Sequence, residues 1–269
     1  MRLFKSITLS LMLAAPVGAV AQDFDKGLAA AQAGDFATAL QEWRPLAEQG
    51  DADAQANVGY LYQTGQGVAQ DHAVALDLYR KAAEQGYAKA QVSLGFMCAN
   101  GEGVLHDYAV AADWYRMAAE QGDAFAQHNL GNMYYDGRGV MQDYAEAADW
   151  SRKAAEQGFA PAQFNLGKTY ANGDGVLQDY AEAADWYRMA AEQGDARAQS
   201  DLGLMYSTGR GVLQDAVLAH MWYNIGGANG SAIGSENRGK IEQRMTREQI
   251  AEAQAFARRC MASDYQDCG

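Results

Sequence analysis

The sequence predicts an all-α superhelix, a solenoid of stacked helix pairs with a cap at each end. The main observation is that several series of residues recur at one interval of 36 residues. Glycine series begin at Gly59 and at Gly65, where a Gly-x-Gly-Val loop starts, and run to Gly203 and Gly209. Self-similarity at a fixed period of this order is the signature of repeat architectures. The tetrapeptide Ala-Glu-Gln-Gly has the same interval and ends at Gly50, Gly86, Gly122, Gly158 and Gly194.

The first segment, residues 1–21, has the pattern of a cleavable signal peptide. Arg2 and Lys5 precede an apolar stretch that ends in Ala19-Val20-Ala21, and these are the three parts of such a leader. The stretch is too short to span a bilayer. We therefore expect cleavage near Ala21-Gln22, no membrane insertion, and a periplasmic or secreted protein. The alternative is a buried first helix of a cytosolic protein.

The chain is acidic, with a net charge of −13 at pH 7 that becomes −15 without Arg2 and Lys5. An acidic surface repels phosphate groups, so nucleic acid and anionic membranes are disfavoured as partners. The charge is compatible with a basic partner, but acidity is also common among soluble secreted proteins.

Residues 22–50 are predicted to form the N-terminal cap, a helical hairpin shorter than the repeats. Gly34-Asp35-Phe36 is the predicted turn, and Leu40 and Trp43 are predicted to face inward. A cap is expected because each repeat of a solenoid buries its apolar faces only against its neighbours.

Residues 51–230 contain five repeats, each predicted to be a pair of helices. In the third repeat, Ala, Leu and Tyr residues from Ala124 to Tyr134 stand three or four apart, the spacing of one helical face. Gly131 lies on that face, where the absence of a Cβ would let another helix approach closely. That benefit must exceed the cost of about 1 kcal/mol that glycine carries inside a helix.

The ends of the helices in this repeat are also predicted. Gly137 and Gly139 should break the first helix, because glycine adopts left-handed backbone angles at little cost. Asp143 should cap the second helix at its free N–H groups, and Gly158 should end it.

Residues 231–269 are predicted to form a C-terminal helical cap. Thr246 and Gln249 have the spacing of a capping box, and Ile250, Ala253 and Phe256 share one face of the helix that follows.

The repeat unit closely resembles the Sel1-like repeat, a relative of the tetratricopeptide repeat. Its markers, over about residues 51–223, are Ala-x-Ala-Gln-x-x-Leu-Gly-x-x-Tyr, Gly-x-Gly-Val, an aspartate, and Trp-Tyr-Arg-x-Ala-Ala-Glu-Gln-Gly. Residues 22–50 resemble a tetratricopeptide half-repeat. The resemblance implies a right-handed superhelix and a non-enzymatic adaptor that binds a protein or peptide. Exported bacterial members are associated with envelope complexes and signalling.

The resemblance also implies where the partner binds. In the tetratricopeptide relatives, the first helix of each pair lines a concave groove, and polar residues before the Leu-Gly pair contact an extended peptide. Asparagine amides both donate and accept hydrogen bonds, and aromatic anchors dominate binding energy at interfaces. The alternative is that the asparagines bond neighbouring helices and the aromatic residues pack between repeats. The candidate residues at and around these positions are Asn57, Tyr60, Phe96, His128, Asn129, Tyr135, Phe164, Asn165 and Lys168.

The cysteines are predicted to be structural. Cys98 stands in a slot that holds tyrosine in other copies, so we expect a buried thiol. Cys260 and Cys268 are close together near the C-terminus, and an oxidising compartment would allow a disulfide between them. Reduced thiols at a frayed end are the alternative.

No motif of a nucleophile elbow, a phosphate-binding loop or a metalloprotease occurs in the sequence. We therefore expect no enzymatic activity, no metal and no cofactor, and we expect a monomer. The competing hypothesis is an envelope hydrolase acting on cell-wall or β-lactam substrates, although the branch of the family discussed for β-lactams has paired cysteines in each repeat. A self-associating solenoid is the third hypothesis.

Overall fold

Fourteen α-helices and no strand occur in residues 23–268, the part of the chain that this computed structural model describes. The all-α prediction is therefore confirmed. The predicted signal peptide at residues 1–21 lies outside the described residues.

The N-terminal hairpin consists of α1 (Phe24–Gln32) and α2 (Phe36–Glu48). Leu40 and Trp43 are buried, as predicted, and the Trp43 indole donates a hydrogen bond of 3.1 Å to the Phe24 carbonyl oxygen. The turn is one residue shorter than predicted. Phe36 already belongs to α2 because the Asp35 side chain accepts a bond from the Thr38 N–H and caps the helix.

Ten helices of similar length follow as five pairs, and each helix packs against the one before it and the one after it. In chain order they are α3 (Ala52–Thr64), α4 (His72–Glu84), α5 (Ala88–Asn100), α6 (Tyr108–Glu120), α7 (Ala124–Asp136), α8 (Tyr144–Glu156), α9 (Ala160–Asn172), α10 (Tyr180–Ala191), α11 (Ala196–Thr208) and α12 (Ala216–Ala228).

The third pair shows why these segments form and end where they do. Gly137 ends α7 with a φ of 69°, and Gly158 follows α8 with a φ of 85°. The Asp143 carboxylate accepts bonds from the first N–H groups of α8. A Cβ added to Gly131 would lie 2.9 Å from the Ser151 Oγ, so its absence allows α7 and α8 to pack closely. The predicted caps and the predicted close approach are confirmed.

A ladder of amide side chains connects the helix pairs. Gln127 on α7 is buried and donates 3.1 Å to the Ala119 carbonyl oxygen of α6. Gln157, after α8, donates 2.8 Å to the Gln127 Oε1. An unpaired buried amide would cost roughly 1–3 kcal/mol, which gives a physical reason for both repeated glutamines. The same bond joins Gln85 to Gln55, Gln121 to Gln91, Gln193 to Gln163 and Asn229 to Gln199.

A second ladder connects an arginine of each pair to a tyrosine of the next pair, and Cys98 interrupts it. Arg116 donates 3.4 Å to the Tyr134 hydroxyl. Arg80 has the equivalent position, but Cys98 replaces the tyrosine. Cys98 is buried, as predicted, and this burial raises the pKa of its thiol. The other bonds of the ladder are Arg44 to Tyr62, Arg152 to Tyr170 and Arg188 to Tyr206.

Replacing Cys98 by Tyr is expected to stabilise the protein by about 1 kcal/mol, the usual net value of one hydrogen bond. The new hydroxyl would accept a bond from Arg80, as the Tyr134 hydroxyl does from Arg116. Cys98→Phe is the matched control, because it fills the same slot without a hydroxyl. Denaturant unfolding measures both; a Tyr variant no more stable than the Phe variant would contradict the predicted bond.

The C-terminal cap consists of α13 (Ala232–Glu242) and α14 (Arg247–Ala262). Thr246 and Gln249 form the predicted capping box, and α14 packs against α12, the second helix of the last pair. The structure places a disulfide between Cys260 and Cys268, with Cα atoms 4.4 Å apart. Cys260 is fully buried in the cluster around Trp222, so this bond connects the residues after α14 to a helix that packs against α12.

Candidate partner-binding groove

The first helices of the pairs (α3, α5, α7, α9 and α11) and α13 line one continuous groove, which we call the A-face groove. It consists of five pockets that share walls, numbered here from α3 to α13. Pockets 1 and 4 are the most spacious, at about 680 and 750 Å³. The shared wall residues are Phe96 and Phe125 (pockets 1 and 2), Asn132 and Asp136 (2 and 3), Lys168 (3 and 4), and Leu204 and Thr208 (4 and 5).

Seven of the nine predicted partner-binding residues line this groove. Asn57 and His128 line none of the five pockets. The seven are Tyr60 and Phe96 in pocket 1, Asn129 in pocket 2, Tyr135 and Asn165 in pocket 3, and Phe164 and Lys168 in pocket 4.

His128 packs inside the structure. Its ring lies 5.3 Å from the Phe159 ring, and its Nε2 is 3.0 Å from the Asn132 Nδ2. Burial lowers the pKa of His128 to about 4, so the imidazole is neutral at pH 7. These contacts correspond to the structural alternative that the sequence left open.

Three exposed aromatic rings gather at the front of the groove. Tyr60, Phe96 and Phe125 have exposed fractions of 50%, 41% and 41%, and all three line pocket 1. Sequence reasoning missed Phe125. The sequence feature that could have indicated Phe125 is the change of residue type at its position from repeat to repeat. The equivalent positions hold Asp53, Lys89, Pro161 and Arg197.

The groove asparagines have both structural and free hydrogen-bonding groups. The Asn129 amide nitrogen donates 2.8 Å to the Phe125 carbonyl oxygen of its own helix. The Asn165 amide nitrogen donates 2.7 Å to the Asn132 Oδ1 on the neighbouring first helix. Within residues 23–268, the side-chain oxygens of Asn129 and Asn165 accept no bond. Each can accept an N–H from a peptide backbone.

The aromatic residues farther back are held by neighbouring side chains. The Tyr135 hydroxyl donates 3.0 Å to Asp174, and the Lys168 ammonium lies 5.3 Å from the Tyr135 ring centre. Phe164 packs 5.8 Å from the Tyr187 ring, and the Arg197 guanidinium lies 4.2 Å from its ring centre. Phe164 therefore supports the walls of pocket 4 as well as facing the groove.

Asp201 is a carboxylate of pocket 4 that lies where other repeats have Asn57, Asn129 and Asn165. Burial is the largest cause that raises its pKa, to about 6, and the negative charge of Asp195 adds to the rise. Lys168 and Arg197 act in the opposite direction. Asp201 makes no side-chain hydrogen bond or ion pair to any residue in 23–268.

In the described part of the chain, no group of three or more His, Cys, Asp or Glu residues could hold a metal ion. No helix in the same residues has the length and apolar character needed to cross a membrane.

The family model of the Sel1 repeat matches five consecutive segments, residues 52–87, 88–123, 124–159, 160–195 and 196–231. The chain belongs to the Sel1 repeat family. This confirms the resemblance and the solenoid of helix pairs. Sel1 repeats commonly mediate protein–protein interaction, and the family is generally non-catalytic.

Two solved structures show the same fold. A Sel1 repeat protein from Oxalobacter formigenes is 33% identical over 88% of this chain and 99% of that protein, with a TM-score of 0.77. A protective antigen of uropathogenic Escherichia coli strains is 38% identical over 84% of this chain, with a TM-score of 0.75. This chain spans about half, 52%, of the antigen's length. A comparison with curated protein sequences found no match.

Proposed function

We propose that this Sel1 repeat protein is an exported, non-enzymatic adaptor that holds an extended segment of a protein partner in its A-face groove. The observation that carries the proposal is the continuity of the groove. Each of its five pockets shares at least one wall residue with the next, from α3 to α13. An extended chain can occupy all five pockets in sequence, whereas a compact small molecule would occupy one.

The surface chemistry of the groove fits a peptide. Tyr60, Phe96 and Phe125 are large, exposed rings of the kind that anchors interfaces. Asn129 and Asn165 offer amide oxygens to backbone N–H groups. Together they provide apolar burial for side chains and hydrogen bonds for the main chain of one segment.

The C-terminal tail leaves this surface accessible along the repeats. Helix α14 and its disulfide pack on α12, the second helix of the last pair, and none of the five pockets is lined by α14.

No observation favours the hydrolase alternative. Asp201 is a groove carboxylate with a raised pKa, and no histidine or cysteine of the described chain lines its pocket. Asp201 also makes no hydrogen bond to a side chain in residues 23–268, so no neighbouring group orients it as a general acid or base.

The proposal is tested with a random peptide library displayed on phage and selected against the purified protein. Replacing Tyr60, Phe96 and Phe125 together by Ser is expected to weaken binding of an enriched peptide at least tenfold, because loss of interface anchors costs several kcal/mol in total. Fluorescence anisotropy of the labelled peptide measures the dissociation constant, and circular dichroism checks that the variant retains its helices.

The matched control replaces three apolar residues that lie in loops outside the groove. Leu105, Met141 and Leu177 have exposed fractions of 88%, 88% and 91%. Their replacement by Ser removes as many apolar side chains and is expected to leave peptide binding unchanged. A selection without binders, or a loss of binding confined to the loop variant, overturns the proposed function.

A further inference from the structure

We infer that the rear of the A-face groove, pockets 4 and 5, binds an acidic stretch of the partner segment through Lys168, Arg210 and Arg244. The inference rests on the proposed function and adds the chemistry and the direction of the bound segment. Its carboxylates would lie towards α13, and its apolar side chains would lie towards α3.

The first observation is an uneven distribution of charge along the groove. Among residues 23–268, pocket 1 is lined by Glu102 and by no lysine or arginine. The described residues that line pockets 4 and 5 include four cations, Lys168, Arg210, Lys240 and Arg244, and one carboxylate, Asp201. The chain as a whole has a net charge of −13, so this is a local excess of positive charge. A ligand with an acidic end would therefore bind in one orientation along the groove.

The second observation is that three of these cations have no anionic partner. Lys240 forms an ion pair of 2.6 Å with Glu236. Lys168, Arg210 and Arg244 form no ion pair with any carboxylate in residues 23–268. The middle of the groove differs, because Arg138 in pocket 2 is paired with Asp136 at 3.2 Å.

The third observation is that aromatic rings position two of the cations at the groove. The Lys168 ammonium lies over the Tyr135 ring, and the Arg210 guanidinium lies 5.6 Å from the Tyr180 ring centre. A ring face attracts a cation without using its N–H donors. The guanidinium of Arg210 therefore remains able to donate two parallel bonds to a carboxylate.

Asp201 gives the inference a second, opposite test. Its carboxylate lies in pocket 4 with Lys168 and Arg210 and would repel an acidic ligand. Asn at this position is compatible with the fold, since Asn57, Asn129 and Asn165 hold the equivalent slot. Replacing Asp201 by Asn is therefore expected to strengthen binding of the acidic stretch.

The experiment applies the same phage-displayed library to three forms of the full protein. These are the wild type, the groove variant Lys168→Gln/Arg210→Gln/Arg244→Gln, and a control variant Lys153→Gln/Arg247→Gln/Arg258→Gln. The control removes three exposed cations that form no ion pair within 23–268 and line none of the five pockets. Both variants change the net charge equally.

The wild type and the control are expected to enrich peptides rich in Asp and Glu, and the groove variant is expected to lose this preference. For one enriched acidic peptide, anisotropy is expected to show about tenfold weaker binding to the groove variant, since each partly exposed ion pair contributes a fraction of a kcal/mol. Asp201→Asn is expected to bind about threefold more tightly.

The outcomes separate this inference from the proposed function. Enriched peptides that depend on Tyr60, Phe96 and Phe125 but show no acidic preference overturn the inference and leave the groove as the binding site. Displacement of an enriched peptide by a single-stranded oligonucleotide would assign the cations to phosphate groups and also overturns it. Equal weakening by the control variant would show a general charge effect, with the same consequence.

Discussion

Replacing Gly139 by Ala is expected to destabilise the protein by about 3–4 kcal/mol, the sum of a left-handed backbone cost and an overpacking cost. Gly139 has a φ of 71°. A Cβ at this position would approach the carbonyl group of Tyr108 closer than 3.0 Å, a distance that real Cβ atoms essentially never show. The Tyr108 carbonyl belongs to the first turn of α6, so the backbone of the preceding repeat cannot move aside without disturbing that helix.

Gly158→Ala is the matched control for this prediction. Gly158 also has a positive φ, 85°, but a Cβ there would have no atom within 4 Å. Only the backbone cost remains, so we expect a loss of about 1–2 kcal/mol. Urea unfolding followed by far-ultraviolet circular dichroism measures both variants. Equal losses would show that the contact between the loop and α6 does not determine stability.

The same contact explains why a constant repeat length produces a regular stack. A Cβ at Gly175 or Gly211 would likewise overlap the backbone at Tyr144 or Tyr180. In each case the loop of one pair lies directly on the start of the second helix of the pair before. A side chain would push the pairs apart, so the loop glycine fixes their spacing.

The fold could be predicted from the sequence because its determinants are local and repeated. Asp143, Gly137 and Gly158 act on their own helix ends, and a periodic pattern identifies them without knowledge of the packing. The glutamine ladder could not be predicted in this way. Gln157 and Gln127 are 30 residues apart, and their repetition shows that both matter but does not show that they bond each other.

The residues of the groove could be predicted only in part. Whether a residue is exposed there depends on individual side chains of the neighbouring repeat, which the repeat pattern does not show. His128 directly precedes Asn129 and is therefore a candidate on the sequence. Phe159 stands at the start of α9, at the position where Asp51, Asp123 and Asp195 cap other helices. It forms no such side-chain cap, and its ring packs against His128. Phe125 lies in the groove next to the same ring, 6.3 Å from it. The departure from the repeat at Phe159 therefore covers His128, which the sequence predicts to be in the groove. The Phe159 ring also lies next to Phe125, a groove residue that sequence analysis missed.

Replacing Asp201 by Asn is expected to stabilise the protein above about pH 6 by roughly 2–3 kcal/mol, because one unit of pKa shift corresponds to about 1.4 kcal/mol. The pKa of Asp201 rises from 3.8 to about 6 in the folded protein, mainly because the carboxyl group is buried. The folded state therefore binds the proton more tightly than the unfolded state does. The stabilisation that comes from protonated Asp201 is fully present below pH 3.8 and is lost as the pH rises towards 6.

The stability of wild type and variant should therefore coincide near pH 4 and diverge between pH 4 and pH 6, with the variant more stable at higher pH. Urea unfolding at several pH values measures this difference. Glu156→Gln, which removes one exposed carboxylate, controls for the general effect of net charge and is expected to change stability little at any pH. A difference between Asp201→Asn and the wild type that stays constant with pH would show that the pKa of Asp201 is the same in the folded and unfolded states. Asp201 would then repel an acidic ligand without lowering the free energy of unfolding. Tighter peptide binding by the variant would arise from the removal of this repulsion alone.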